Sequence, residues 1–313
     1  MAKAIREAYG EALVKYGSED SRVVVLDADV SSSTKSGMFR SACPERFINC
    51  GISESAMMGM AAGLAQSGKI PFVNTFAVFL STLGAVAART FLSYSGLNVK
   101  LMGGYAGLSA GYDGPTHHAL EDISMMRTLP GMTVLVASDE QITDWMVKEC
   151  IKQEGPMYVR LSREAAPACH PDSAEFKMGR GFIVREGTDV SVIACGILVS
   201  KALKAAEILE KQGISLRVVD MFCIKPVDEE LILQCAEKTG MLITAEEHSV
   251  IGGLGGAVAE VLARHGAFVP LKMLGMQDRH AESGPYEALL SKYGMDEYAI
   301  VSAVTSQIRG KTK

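Results

Sequence analysis

The sequence predicts an α/β fold in two parts, each a mostly parallel sheet covered by helices. Three observations carry that expectation. Short β-branched runs alternate with longer helical patterns along the whole chain. The strand-like runs are apolar on both faces, as strands are when helices cover both sides of a sheet. Midway, the stretch 163–180 carries Pro167 and Pro171 with no hydrophobic period and reads as a linker. A chain of 313 residues has the length for two domains of about 150 residues each.

Taken in order, the runs 23–29, 70–76, 99–104, 132–138 and 157–162 read as strands. Between them, helical patterns fall near 3–17, 53–67, 79–93, 119–128 and 139–152. This places a first domain at 1–165, a linker at 166–180 and a smaller α/β domain at 181–313. In the second domain the runs 189–196, 215–221, 241–248 and 271–276 read as strands, with helices near 198–212, 228–238 and 254–265. The helix SESAMMGMAAGLAQ is apolar nearly all round, so it is expected to be buried on every side, inside the domain or against another subunit.

Hydrophobic residues make up 48% and charged residues 21%, which is ordinary globular composition and excludes a disordered chain. No apolar run approaches the roughly 20 residues that span a bilayer, so no membrane partner is expected. The opening MAKAIREAYG has no apolar signal core, and the cytosol is the expected location. Seven scattered cysteines without C-x-x-C spacing suggest neither a disulfide framework nor zinc. A net charge of -5 with no Lys/Arg block argues against nucleic acid.

The segments GISESAMMGMAAGLA (51–65), PFVNTFAVF (71–79) and GYDGPTHHALEDISMMRTLPGMTVL (111–135) carry a more specific message. Together they resemble the pyrimidine-binding domain of transketolases. RVVVLDADVSSST, YVRLSR, VVDMFCIKPVD and AEEHSVIGGLGGAVAE extend the likeness over nearly the whole chain. The resemblance implies a pyrimidine-binding domain with a mostly parallel sheet, followed by a smaller α/β transketolase C-terminal domain. It also implies thiamine diphosphate as cofactor and transfer of a two-carbon ketol unit from a ketose phosphate to an aldose phosphate.

Site residues follow by position within those motifs. Glu54 matches the glutamate that hydrogen-bonds the ring nitrogen of the aminopyrimidine and controls its protons. Phe76 and Phe79 match the aromatic slot that holds the ring, and Asp29 matches a further cofactor contact. Asp113 and His117 in DGPTHH match residues that reach the donor sugar's hydroxyl and carbonyl end, chemistry a carboxylate and an imidazole can perform near neutral pH. Arg6, Ser33 and Arg163 match positions that grip a sugar phosphate, for which a guanidinium fork suits two oxygens at once.

Three positions depart from the family. Thr82 stands where relatives often carry another aromatic, Tyr105 where transketolases place a histidine of the phosphate end, and Tyr112 where an acid is usual. A tyrosine donates one hydrogen bond but brings no positive charge, so Tyr105 is expected to reshape the sugar end of the pocket. IGGLGG is not a dinucleotide fingerprint, since it does not open the first βαβ unit, and its glycines are expected to permit close packing. His248 beside it reads as structural.

The sequence contains no Gly-Asp pair, so the G-D-G motif that holds the diphosphate through Mg²⁺ is missing and no metal ligand is expected in this chain. The resemblance therefore implies half of a split enzyme: a separate N-terminal transketolase subunit carries the diphosphate and Mg²⁺ site, in an α2β2 heterotetramer. Two other readings compete. A 2-oxo acid dehydrogenase β subunit shares the domain order, and a non-catalytic scaffold could keep the fold. The DGPTHH motif and the Arg6, Ser33, Arg163 set favour transketolase.

Overall fold

The computed structural model describes residues 2–311. Its first half contains strands β1 (Lys3–Ala4), β2 (Val23–Asp27), β3 (Phe47–Asn49), β4 (Ile70–Phe76), β5 (Lys100–Gly104), β6 (Thr133–Val136), β7 (Met157–Arg160) and β8 (Ala165–Ala166). The second half adds β9 (Phe182–Arg185), β10 (Val190–Ala194), β11 (Leu216–Asp220), β12 (Cys223–Lys225), β13 (Leu242–Ser249) and β14 (Leu271–Met276). Two sheets result. One runs β12-β6-β7-β5-β4-β2-β3 and the other β14-β13-β10-β11-β9. Apart from the antiparallel edge strands β12 and β9, the pairs within them are parallel. Every residue of β2, β4, β5, β7, β10 and β11 is buried, as double-sided helix cover requires.

The central elements and the edge strand β14 form where the hydrophobic pattern puts them, and the other sheet edges do not. β12, in the segment VVDMFCIKPVD, leaves its own half of the chain and pairs with β6 of the first sheet. Its pairing partner lies about 90 residues upstream, a long-range choice that no local pattern encodes. The short strands β3 and β9 and the helices 286–292 and Glu297–Lys311 also lack a sequence expectation.

The expected helix near 79–93 is three pieces: Ala77–Thr82, Ala85–Ala87 and a π-helical turn Ala88–Ser93. Gly84 sits at the break, so close to the preceding turn that a Cβ there would meet the Leu80 carbonyl at 2.4 Å. Near 119–128 only Asp122–Arg127 is helical, because Ala119 instead exchanges backbone hydrogen bonds with Gly107. The helix Glu54–Gln66 buries Glu54, Met57, Met58 and Ala61, but Met60 and the small residues Ala56 and Gly63 face outward. The expectation of burial on every side fails within this chain.

The stretch 166–180 has little regular structure yet is firmly held. Ala165–Ala166 pairs with Lys3–Ala4, and Phe176 packs against Trp145 and Phe222. Buried His170 bridges the two halves: Nδ1 lies 2.8 Å from Asp139 and Nε2 lies 3.2 Å from Asp220 at the end of β11. Burial alone would lower its pKa, but Asp139 and Asp220 together push it up to about 9. In the glycine-rich segment, Leu254 and Gly255 donate their N–H groups to buried Glu246 at 2.6 and 2.8 Å. A Cβ on Gly253 would meet the same carboxylate at 2.0 Å, so these glycines do serve close packing. His248 is fully buried and burial pushes its pKa down to about 4, in keeping with a structural role.

Candidate active site

The site residues are brought together by one property of the first sheet. Asp29 and Ser33 follow the carboxyl end of β2, Glu54 follows β3, Phe76 closes β4 with Phe79 after it, Tyr105 follows β5 and Arg163 follows β7. Residues far apart in sequence thus line one edge, the edge at which parallel sheets bind ligands. Arg6 arrives from the first turn of helix Ile5–Gly17, fixed there by the β1–β8 pairing.

Their contacts form a continuous chain. Arg6 donates from Nη1 to the Tyr105 hydroxyl at 2.9 Å and to the Ser33 carbonyl at 3.2 Å. Arg163 lies over the Tyr105 ring, 5.2 Å from its centroid, and the Arg6 guanidinium lies at 5.6 Å. That ring stacks on Phe76 at 4.4 Å and 21°, and Phe76 stacks with Phe79 at 6.0 Å and 22°. His117 meets both phenylalanines edge-on, at 6.1 and 5.3 Å. Tyr105 is therefore the hinge between an aromatic slot and a pair of cations. Its backbone is left-handed, with φ +55°, a conformation a tyrosine holds only when its surroundings insist.

Glu54 touches Thr75, the strand neighbour of Phe76. It is buried in the first turn of its helix, where the dipole favours a carboxylate, and its Oε1 accepts from Thr75 Oγ1 at 3.2 Å. Asp29, also left-handed at φ +65°, accepts from Asn49 Nδ2 at 2.8 Å. Asp113 is exposed on the short turn Gly111–Asp113, and no hydrogen bond or ion pair joins it to the Tyr105 cluster among the described residues. Tyr112 is 73% exposed.

Several buried residues that position these groups escaped the sequence reading. Asp27 accepts from the Val30 N–H at 2.7 Å, Ser36 at 2.8 Å and Thr34 at 3.0 Å, and so shapes the turn that presents Asp29 and Ser33. Arg160 pairs with Asp122 at 2.7 Å and donates to the carbonyls of Ala119 and Glu247. Glu247 reaches from the second sheet to the Leu108 N–H at 2.6 Å, and burial pushes its carboxyl up to about 7. The one available signal was the run of charge, AEEH, inside an otherwise apolar strand.

An aromatic slot, a buried acid and two arginines thus meet at the carboxyl edge of a parallel sheet, the place where α/β folds build their ligand sites. Residues 1–168 match the family model of the transketolase pyrimidine binding domain, and residues 179–300 that of the transketolase C-terminal domain. A solved split-gene transketolase, described as an inactive beta4 tetramer, is 48% identical, with a TM-score of 0.90 and 97% of each chain covered. A 6-deoxy-6-sulfo-D-fructose transketolase subunit of Clostridium sp. is 40% identical over 96% of this chain and 92% of its own length. One of the apulose-4-phosphate transketolase subunits of Phocaeicola vulgatus is 38% identical over 95% of each chain. Rat transketolase is 38% identical over 96% of this chain but 48% of its own length, so this chain spans about half of that protein. The chain belongs to the transketolase family.

Proposed function

We propose that this chain is the C-terminal subunit of a two-chain, thiamine-diphosphate-dependent transketolase, moving a two-carbon ketol unit from a ketose phosphate to an aldose phosphate. The observation that carries the reading is the convergence of Phe76, Phe79, Tyr105, Arg6, Arg163 and His117 on one sheet edge, with buried Glu54 beside them.

The residues present fit an aminopyrimidine. Phe76 and Phe79 offer near-parallel apolar faces, and only one Glu54 oxygen is engaged by a protein donor among the described residues, leaving the other for a ring nitrogen. Asp29 is the further cofactor contact from this chain. Thiamine diphosphate, when bound, supplies the nucleophilic carbon that accepts and hands on the two-carbon unit. Glu54 holds or releases a proton at the ring nitrogen. His117, half-buried against both phenylalanines, moves a proton at the donor's carbonyl end, and Asp113 orients a sugar hydroxyl. Arg6 and Arg163, with Ser33, hold the terminal anion, and Tyr105 sets how far that anion lies from the reacting end.

The partner is a separate N-terminal subunit that supplies the diphosphate and Mg²⁺ ligands, in an α2β2 assembly. The absence of a Gly-Asp pair in this sequence supports this, as does an apolar face around the site. Ile52, Leu83, Val86, Phe91 and Tyr94 are all exposed on and beside the helices that carry Glu54 and Phe79. The test is reconstitution with a purified partner chain that contains a G-D-G motif, using hydroxypyruvate as donor and ribose 5-phosphate as acceptor. Ketol transfer by the pair and none by this chain alone is expected. Turnover by this chain alone, or decarboxylation passed to a lipoyl domain instead of an aldose, overturns the reading.

A further inference from the structure

The loop from Tyr105 to Ala119 carries Tyr105, Asp113 and His117, yet it has no regular structure apart from one short turn. Four of its backbone positions have positive φ: Tyr105 at +55°, Gly107 at +65°, Gly111 at +59° and Gly114 at +84°. Such a loop keeps one shape only where its surroundings over-determine it. Its neck is closed by paired hydrogen bonds between Gly107 and Ala119 and by the Ala106 N–H to the Leu161 carbonyl.

Beneath that neck lies a residue of the other domain. Glu247 Oε1 accepts from the Leu108 N–H at 2.6 Å, and Oε2 accepts from the Tyr286 hydroxyl at 3.0 Å. A Cβ on Gly107 would meet the Glu247 carboxyl carbon at 2.4 Å, so that glycine is required for the carboxylate to reach the loop at all. The second domain also meets the loop tip: the Gly284 N–H lies 3.4 Å from the Gly111 carbonyl, and Ser283 abuts Gly114. Burying an acid without a full ionic partner is costly, and an apolar residue would pack there more cheaply. The arrangement uses that acid to satisfy a single loop amide.

We propose that Glu247 is a positioning residue that fixes the Tyr105–His117 loop from the second domain, and so sets the place of the sugar-contacting groups. The C-terminal domain then has a defined task in the reaction: it supplies the acceptor that the loop backbone lacks. The loop-holding role stands on geometry alone, whereas its consequence for the sugar rests on the transketolase reading above.

The two parts separate experimentally. In the chain alone, Glu247→Ala leaves the Leu108 N–H without an acceptor and is expected to speed its hydrogen exchange, and that of neighbouring loop amides, by roughly tenfold or more. Glu247→Gln keeps a carbonyl oxygen in place and restores protection to within about threefold. Should the alanine variant fail to fold, Tyr286→Phe reads the same loop by freeing the carboxylate from its second partner, with roughly twofold to threefold faster exchange expected. Unchanged loop exchange in folded Glu247→Ala, or in Tyr286→Phe when that variant is the one read, overturns the loop-holding role. With the partner subunit, Glu247→Ala is expected to raise KM for hydroxypyruvate about tenfold, with rescue by Gln. A deprotected loop with unchanged KM overturns the consequence for the sugar. No turnover by the wild-type pair defeats the transketolase reading and leaves the exchange result standing.

Discussion

At the scale of single residues, the site of the proposed transketolase divides into groups that handle protons and groups that measure the substrate. Glu54 is buried with one oxygen committed to Thr75, so Glu54→Gln keeps shape and bonding to that hydroxyl while removing the proton chemistry. In the reconstituted enzyme we expect at least about a hundredfold loss of turnover, each 1.36 kcal/mol of barrier being about tenfold in rate. Exchange of the cofactor's thiazolium proton should slow in parallel, and near-normal exchange in an intact complex would assign the role elsewhere. Arg163 has a different signature. Its guanidinium contributes only when there is an anion to grip, so Arg163→Ala is expected to weaken a ketose phosphate far more than hydroxypyruvate. Equal losses for the two donors would make it a structural cation over the Tyr105 ring. Tyr105→His tests the departure from the family directly: it removes the Arg6 hydrogen bond and the stack on Phe76 together. If Tyr105 reads the native sugar, the change improves ordinary pentose phosphates and harms the native reaction, and a gain on both would show that the tyrosine only weakens the phosphate end.

Among the elements, the segment 166–180 departs furthest from its sequence reading. A stretch with two prolines and no period became a strap locked by an ion network, because His170 sits between Asp139, which caps helix Glu140–Lys152, and Asp220 of β11. Against burial, His170 holds the Asp139 carboxyl down, while burial pushes the Asp220 carboxyl up. The native pKa of His170 is about 9, above the ordinary imidazole value of about 6.5, so the folded state holds this proton more tightly than the unfolded chain. The stabilisation is complete below about pH 6.5 and is lost as pH rises to about 9, at most about 3 kcal/mol before the cost of burying Asp220 is subtracted. Urea denaturation from pH 6 to 9.5 should show a falling midpoint in the wild type and a flatter, lower profile in His170→Asn. A pH-independent wild-type midpoint would mean the imidazole is neutral in the native state.

For the whole molecule, the helical pieces packed beside helix Glu54–Gln66 leave large apolar side chains exposed. Val86 and Tyr94 are 74% and 90% exposed, and the outward side of helix Glu54–Gln66 offers little but small residues and Met60. An exposed apolar patch of this kind is the surface that the proposed partner subunit would cover. We expect Val86→Asp and Tyr94→Asp to leave the melting temperature of the isolated chain unchanged while weakening association with the diphosphate-binding subunit at least tenfold, read by sedimentation. Unaltered association would place the partner on another surface.

The periodicity of the chain determined the parallel strands and the principal helices, because a strand buried on both faces and a helix of an α/β layer each write their environment into local composition. The resemblance to transketolases, carried by short motifs in a matching order, nominated Glu54, Phe76, Phe79, Asp29, Arg6, Ser33, Asp113, His117 and Arg163. The tertiary structure alone decided which of them meet. Arg6, Tyr105 and Arg163 lie about 100 and 60 residues apart and converge only because β5 and β7 end side by side and the β1–β8 pairing swings the first helix to the same edge. It also decided that β12 crosses to the first sheet, that His170 joins two carboxylates and that Glu247 supports a loop of the other domain. These are contacts between residues distant in sequence, and their energy depends on burial and mutual geometry that no local pattern of residues records.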